Sequence, residues 1–246
     1  MSIQLLVSVR NAKEAEEAIA GGADIVDIKD PGKGSLGYAG TAVISSVIEV
    51  STGVTASAAL GELNEWTQPP SPQEADVLSR MSFLKTGPCG LAEIQDWKAR
   101  HEVLRTELFE RVATKWVAVA YADHDSCAAP APMEILTESD GCAGLLIDTY
   151  RKAAGSTFDC LSAHDLRQLR ERAHDRGMFF ALAGRVQIQH MEQVAYVEPD
   201  IVGVRGAACE QNNRTAALSR ERVQNLKTEL SAASLEVGNR HFTEKA

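Results

Sequence analysis

The chain lacks the signatures of several large protein classes. Its five cysteines (Cys89, Cys127, Cys142, Cys160 and Cys209) are scattered, odd in number and without C-x-x-C spacing. Neither a disulfide framework nor a zinc site is therefore expected, and the thiols read as reduced. The six histidines fall in no metal-ligand spacing. His124 lies between Asp123 and Asp125, but an Asp-His-Asp run on a loop is more often solvated than metal-bound, and no metal is expected. Where a dinucleotide fold would carry G-x-G-x-x-G, the first strand–helix turn reads Val9-Arg10-Asn11-Ala12. Walker A and G-x-S-x-G sequences are also missing. Positive charge is in deficit, with 25 Lys and Arg against 34 Asp and Glu and a net charge of −9. That argues against nucleic acid or an anionic membrane as the main partner, while allowing a local basic pocket for a small anion. No apolar run approaches the ~20 residues of a membrane span, and Met1 to Gln4 show no basic n-region or cleavable apolar segment. A cytoplasmic location is expected.

What is present is a repeating alternation. Gln4 to Val9 is a short apolar run rich in valine. Asn11 is a helix N-cap candidate with Glu14 three residues on, as in a capping box, and the alanine- and glutamate-rich stretch Ala12 to Ala20 ends at Gly21-Gly22. Ile25 to Ile28 follows as a second strand, so the first thirty residues read as a parallel βαβ unit. Further strands are expected at Val54–Ala59, Phe83–Gly87, Trp116–Tyr121, Gly144–Asp148, Phe179–Ala183 and Ile201–Val204. Helices are expected between them, including Ile94–Arg111 and a last one at Ser219–Ala232. Eight strands alternating with helices, in 246 residues of which 44% are hydrophobic, predict an α/β fold, a single (β/α)8 TIM barrel over residues 1–235 with a polar tail over 236–246. A doubly wound open sheet is the alternative.

In such a barrel the active site lies at the C-terminal ends of the strands. The polar residues there are Ser8 and Arg10, Asp27 and Lys29, Ser57, Lys85, Tyr121 and Asp123, Asp148, Gly184-Arg185 and Arg205-Gly206, with Lys152 four residues beyond Asp148. Asp27 and Lys29 share one strand face. Lysine is rarely buried without a partner, and burial beside another cation favours the neutral amine that attacks carbonyls. Two lysines with aspartates at a barrel mouth therefore point to Schiff-base carbonyl chemistry. The plainer reading is a solvated lysine at a loop start, and it is weaker for Lys29 because of Asp27. The small residues closing strands seven and eight, Gly184 and Gly206-Ala207-Ala208, suit phosphate held by backbone N–H groups, with Arg205 adding charge. They suit tight connections equally well. The run Gly32-Lys33-Gly34-Ser35-Leu36-Gly37 is a weak phosphate-loop signal, more simply read as a flexible, lid-like connection.

Several blocks resemble the (5-formylfuran-3-yl)methyl phosphate synthase family, also called 4-(hydroxymethyl)-2-furancarboxaldehyde phosphate synthase. They are Gly21-Gly22-Ala23-Asp24-Ile25-Val26-Asp27-Ile28-Lys29, Gly34-Ser35-Leu36-Gly37, Lys85 in its strand, Tyr121-Ala122-Asp123, Asp148-Thr149 with Lys152, Ala181-Leu182-Ala183-Gly184, and Asp200 to Cys209. The likeness spans nearly the whole chain. It implies a TIM-barrel lyase that condenses two molecules of glyceraldehyde 3-phosphate into a furan aldehyde phosphate, with loss of phosphate and water, for methanofuran-type one-carbon carriers. The resemblance makes Lys29 the imine-forming lysine and Lys85 the proton acceptor, supported by Asp27, Asp148 and Lys152. Ser8, Asp123, Gly184, Arg205, Gly206 and Ala207 are the expected substrate contacts. No cofactor is expected, the partner is a small phosphorylated aldehyde, and a homo-oligomer is expected by analogy with related barrels. The alternatives are another Schiff-base aldolase, a phosphosugar isomerase, or a non-catalytic metabolite-binding regulator. The sequence departs from the archaeal pattern at Glu62–Gln73, at His124–Pro132 and at Arg151.

Overall fold

The structure, a computed structural model, describes the backbone of residues 2–151 and 155–243, and the side chains of these except at 100, 103–105 and 236–243. Eight parallel strands close into a barrel in sequence order: β1 (Gln4–Val9), β2 (Ile25–Ile28), β3 (Thr55–Glu62), β4 (Phe83–Gly87), β5 (Lys115–Tyr121), β6 (Gly144–Asp148), β7 (Phe179–Leu182) and β8 (Ile201–Val204). Strands β8 and β1 pair from Gln4↔Ile201 to Val7↔Val204, which completes the ring. The barrel expectation therefore holds, and the open sheet is set aside.

The helices among the described residues are α1 (Ala12–Ala20), α2 (Thr41–Val50), α3 (Pro72–Leu78), α4 (Trp97–Leu108), α5 (Pro132–Thr137), α6 (Thr157–Cys160), α7 (Ala163–Asp175), α8 (Met191–Val197) and α9 (Arg220–Thr243). None is long and apolar enough to cross a membrane. Both faces of each strand are buried, as parallel barrels require. Val7, Val9, Val26 and Ile28 face outward onto Ala15, Ala18, Ile44 and Val47 of the first two helices. Ile25, Ala59, Val119, Leu146, Ala181 and Ile201 fill the interior. That apolar plug closes the lower barrel and leaves the strand ends to carry polar groups.

Helix α1 starts and stops where its signals place it, with Asn11 Oδ1 accepting from Glu14 N at 3.0 Å. The second half of the capping box does not form, because the Glu14 carboxylate accepts from Arg10 N instead. Helix α4 is shorter than the expected Ile94–Arg111, since Leu91–Glu93 forms a separate 3-10 turn and Asp96, just ahead of the helix, is left-handed. Helix α9 runs past Ala232 to Thr243, so the backbone of the tail continues the helix. Strand β3 extends past Ala59 to Glu62 through a bulge, where Gly61 takes φ +81°. The extra residues deliver the Glu62 side chain into the upper barrel.

The glycine-rich run is not a flexible lid. After a 3-10 turn over Pro31–Lys33, Ser35, Leu36 and Gly37 are buried, and Leu36 packs into the interior cluster. Gly61 N donates to Leu36 O at 2.8 Å and Asp30 N to Gly37 O at 2.8 Å. The segment is tied to the barrel mouth at both ends. Its glycines allow the close approach: a Cβ on Gly37 would collide with Asp30 O.

Candidate active site

Asp27 is the hub. Strand pairing sets Ser8 opposite Asp27 and Asp27 opposite Ser57, so three polar side chains from β1, β2 and β3 stand in one row. Ser57 Oγ donates to Asp27 Oδ1 at 2.6 Å and Ser8 Oγ to Oδ2 at 3.2 Å. Lys85, on β4, donates an ion-paired hydrogen bond to the same Oδ1. All four side chains are buried. Burial works against the Asp27 carboxylate, but the ammonium groups of Lys85 and Lys29 and the bonds from Lys85 and Ser57 outweigh it. The carboxyl is held below its usual value.

Lys29 sits one residue past β2, its backbone anchored to Val9 O at 3.1 Å, and its side chain is buried. It lines a cavity of about 310 Å3 at the C-terminal ends of the strands, together with Ser8, Asp27, Lys85 and Asp148. The turns at Gly184 and at Gly206-Ala207 line it as well. Gly184 takes φ +84° there, and a Cβ would run into Thr157 Oγ1 of the short helix α6. Asp148 ends β6. Its Oδ2 lies 3.1 Å from Ser35 Oγ, while Oδ1 accepts from Thr149 N at 2.7 Å. The glycine-rich run thus reaches across the mouth and fixes a carboxylate on the far side.

Two expected contacts are reassigned. Asp123 does not line the cavity. Its carboxylate accepts from Tyr150 N at 2.7 Å, Arg151 N at 2.8 Å and Ser126 Oγ at 3.0 Å, which fixes the chain just after β6. Lys152 lies outside the described residues. Arg205 lines the cavity, but its five N–H groups are already engaged. Nε donates to Arg214 O, one terminal nitrogen to Ser8 O and Glu14 Oε2, and the other to Glu14 Oε1 and Ala216 O, at 2.5 to 3.2 Å. It is a strut between β8, β1 and α1, with no donor left for a phosphate. Glu14 also receives Arg10 Nε at 2.9 Å. Burial opposes its charge, yet the hydrogen bonds from Arg205 and Arg10 prevail and hold its carboxyl below the ordinary range.

Three further residues shape the site. Ser35 is one. Glu62 is another: its Oε1 accepts from Tyr121 Oη at 2.6 Å and its Oε2 from Cys89 N at 3.0 Å. Burial pushes the Glu62 carboxyl up, only partly offset by those bonds, and burial together with Glu62 raises the Tyr121 hydroxyl well above its normal value. Burial thus favours the neutral form of an acid that stands within electrostatic range of Asp148. The third is Arg214, a cavity-lining cation in the segment after β8. Among the described residues no cluster of three or more His, Cys, Asp or Glu is gathered to hold a metal ion.

Residues 5–227 match the family model described as 4-HFC-P synthase. A (5-formylfuran-3-yl)methyl phosphate synthase of Methanocaldococcus jannaschii is 34% identical over 233 residues, covering 91% of this chain and 97% of the relative. The Methanococcus maripaludis protein of the same name is 34% identical over 222 residues, covering 86% and 92%. The Archaeoglobus fulgidus one is 31% identical over 236 residues, covering 91% and 97%. Among solved structures, phosphoribosyl anthranilate isomerase from Thermotoga maritima superposes with a TM-score of 0.60 at 15% identity, covering 94% of this chain and 99% of that one. Thiamine phosphate pyrophosphorylase from Pyrococcus furiosus gives a TM-score of 0.60 at 12% identity, with 94% and 96% covered. These two likenesses concern the barrel fold alone.

Proposed function

The chain belongs to the 4-HFC-P synthase family, and from that premise we propose that it condenses two molecules of glyceraldehyde 3-phosphate into (5-formylfuran-3-yl)methyl phosphate through an imine on Lys29. Family membership makes it an enzyme of lyase type. The observation that carries the mechanism is the enclosure of two lysine side chains, Lys29 and Lys85, in one cavity around Asp27.

The Lys29 amine attacks an aldehyde carbon, and water leaves as the iminium forms. Asp27, already a hydrogen-bond acceptor from Ser8, Ser57 and Lys85, moves the protons this requires. The proton that the departing water needs comes from the Lys85 ammonium through Asp27, so Lys85 is neutral when the iminium draws electrons from the adjacent carbon and takes up that carbon's proton, helped by Asp148 and Lys152. The resulting enamine expels phosphate from its third carbon, and the enol left behind joins the second three-carbon unit through that carbon, forming the carbon–carbon bond. Ring closure with loss of water, followed by hydrolysis of the imine, releases the furan aldehyde. Two three-carbon units supply its six carbons, and the reaction neither consumes nor produces an oxidant. Backbone amides near Gly184 and Gly206-Ala207 hold the retained phosphate. The product serves the assembly of methanofuran-type one-carbon carriers.

Borohydride reduction in the presence of glyceraldehyde 3-phosphate, followed by peptide mapping, tests this reading. It should label the peptide containing Lys29, and the unreduced enzyme should produce the ultraviolet absorbance of a conjugated furan aldehyde. A label on another lysine, or none, would sink the assignment.

A further inference from the structure

The proposed reaction brings two phosphate esters into one cavity, and the turns after β7 and β8 offer a cradle for one. Arg205, the cation expected beside them, is fully bound to Glu14 and to backbone carbonyls. A second cation takes its place. The chain from Asn212 to Arg214 folds back over Gly206, where a Cβ would stand 3.0 Å from Asn212 O. Arg205 Nε clamps Arg214 O at 2.8 Å. From that anchor the Arg214 side chain lies along the cavity wall, and one terminal nitrogen donates to Gly34 O at 2.7 Å. That is the hydrogen bond its guanidinium makes among the described residues. A half-buried guanidinium on the cavity wall with open donors is placed to complete the shell of an anion entering the cavity. Burial already lowers the Arg214 value, with Asp148 and Asp30 the carboxylates close enough to counter it.

The position also says which anion. Gly34 adjoins Ser35, whose hydroxyl reaches Asp148. Arg214 and Asp148 therefore line the same cavity, close enough for the carboxylate to act on the guanidinium charge.

We propose that Arg214 is the cation of a second phosphate subsite and holds the phosphate that the reaction expels. This rests on the imine reading given above. In the expulsion step the C–O bond to phosphate breaks and its electron pair leaves on the phosphate oxygen. The enamine nitrogen's pair becomes the C=N bond as the carbon–carbon double bond shifts toward the vacated carbon. The guanidinium neutralises the charge arriving on the leaving oxygen. The retained phosphate stays on the Gly184 and Gly206 amides.

Inorganic phosphate titrated calorimetrically into the wild type should fill two sites, and into R214Q one. R214K, which keeps the charge but loses the fork, should restore the second site at reduced affinity. In R214Q the borohydride label on Lys29 should persist at the wild-type level, while furan formation falls by about tenfold to a hundredfold, the loss of a charge-assisted contact. Equal phosphate stoichiometry in wild type and R214Q overturns the subsite. So does a fall in Lys29 labelling that matches the fall in turnover, because Arg214 would then serve the first substrate. The phosphate titration decides the subsite even if borohydride labels nothing in the wild type, an outcome that removes only the imine reading.

Discussion

Lys85 reaches across from β4 to place its ammonium on the Asp27 carboxylate of β2, with β3 between them supplying Ser57 to the same oxygen. A carboxylate shared by two hydroxyls and an ammonium is fixed in place and keeps its charge. Replacing it by the neutral amide, D27N, leaves the buried Lys85 charge without its partner. Breaking a buried pair in this way costs about 3 to 5 kcal/mol, and losing a positioned proton carrier slows the reaction by roughly 10² to 10⁴. Urea unfolding and the furan absorbance check the two halves separately. A D27N enzyme with wild-type turnover would remove Asp27 from the chemistry.

Ser35 fixes Asp148 from the opposite rim. In S35A the hydroxyl that lies 3.1 Å from Asp148 Oδ2 and 2.8 Å from Thr149 O is gone. Stability should fall by about 1 kcal/mol for a lost buried hydrogen bond. The kinetic signature expected from the proposed role of Asp148 in the proton steps is a lower kcat, by about tenfold, at nearly constant KM. Steady-state kinetics on S35A decide it. A rise in KM alone would place Ser35 in substrate binding instead.

The strand ends were legible in the sequence and the loops between them were not. Asp27, Lys29, Lys85 and Asp148 fall out of the strand count and the rule that barrel chemistry sits at C-terminal ends, and the structure gathers them in one cavity. Ser35 reads as part of a flexible connection because of its glycine neighbours, although the adjoining Leu36 belongs to the barrel interior. Glu62 escapes notice because the expected strand stops before the bulge at Gly61. Sequence alone assigns Arg205 to phosphate because its partner, Glu14, lies 191 residues away. Only closure of β8 onto β1 brings the two together, and no local spacing records that. Arg214 stands in an irregular stretch without periodicity, where sequence patterns carry little information.

Glu62 makes stability depend on pH in the sense opposite to a salt-bridged acid. Its folded value is raised by burial above the ordinary 4.5, so between the unfolded and folded values the native state holds a proton that the unfolded chain has released. Stability is fully present below the unfolded value and declines as pH rises toward and through the folded value. E62Q keeps the hydrogen-bonding shape toward Tyr121 and Cys89 without a titrating proton. Thermal unfolding measured from pH 4 to pH 8 should therefore give a flatter stability profile for E62Q than for the wild type, with the gap widening toward the alkaline end. Parallel profiles would mean that Glu62 is ionised in the folded protein.

Glu14 works the other way. It is buried against two guanidiniums, Arg10 and Arg205, and its carboxyl is held below the usual range. The stability it contributes is present above its unfolded value of about 4.5 and is lost as pH falls through the lower folded value. E14Q removes the counter-charge from both arginines, so at neutral pH it should destabilise the fold by about 3 kcal/mol while losing much of the acid-limb dependence. Its effect should also reach the active site, because Arg205 carries the Arg214 carbonyl and Ser8 O as well as Glu14. At a temperature where E14Q is fully folded by circular dichroism, weaker binding of inorganic phosphate at the Arg214 subsite is expected, with borohydride labelling of Lys29 retained. Unchanged phosphate binding in a destabilised E14Q would show that the strut supports the barrel seam and leaves Arg214 where it is.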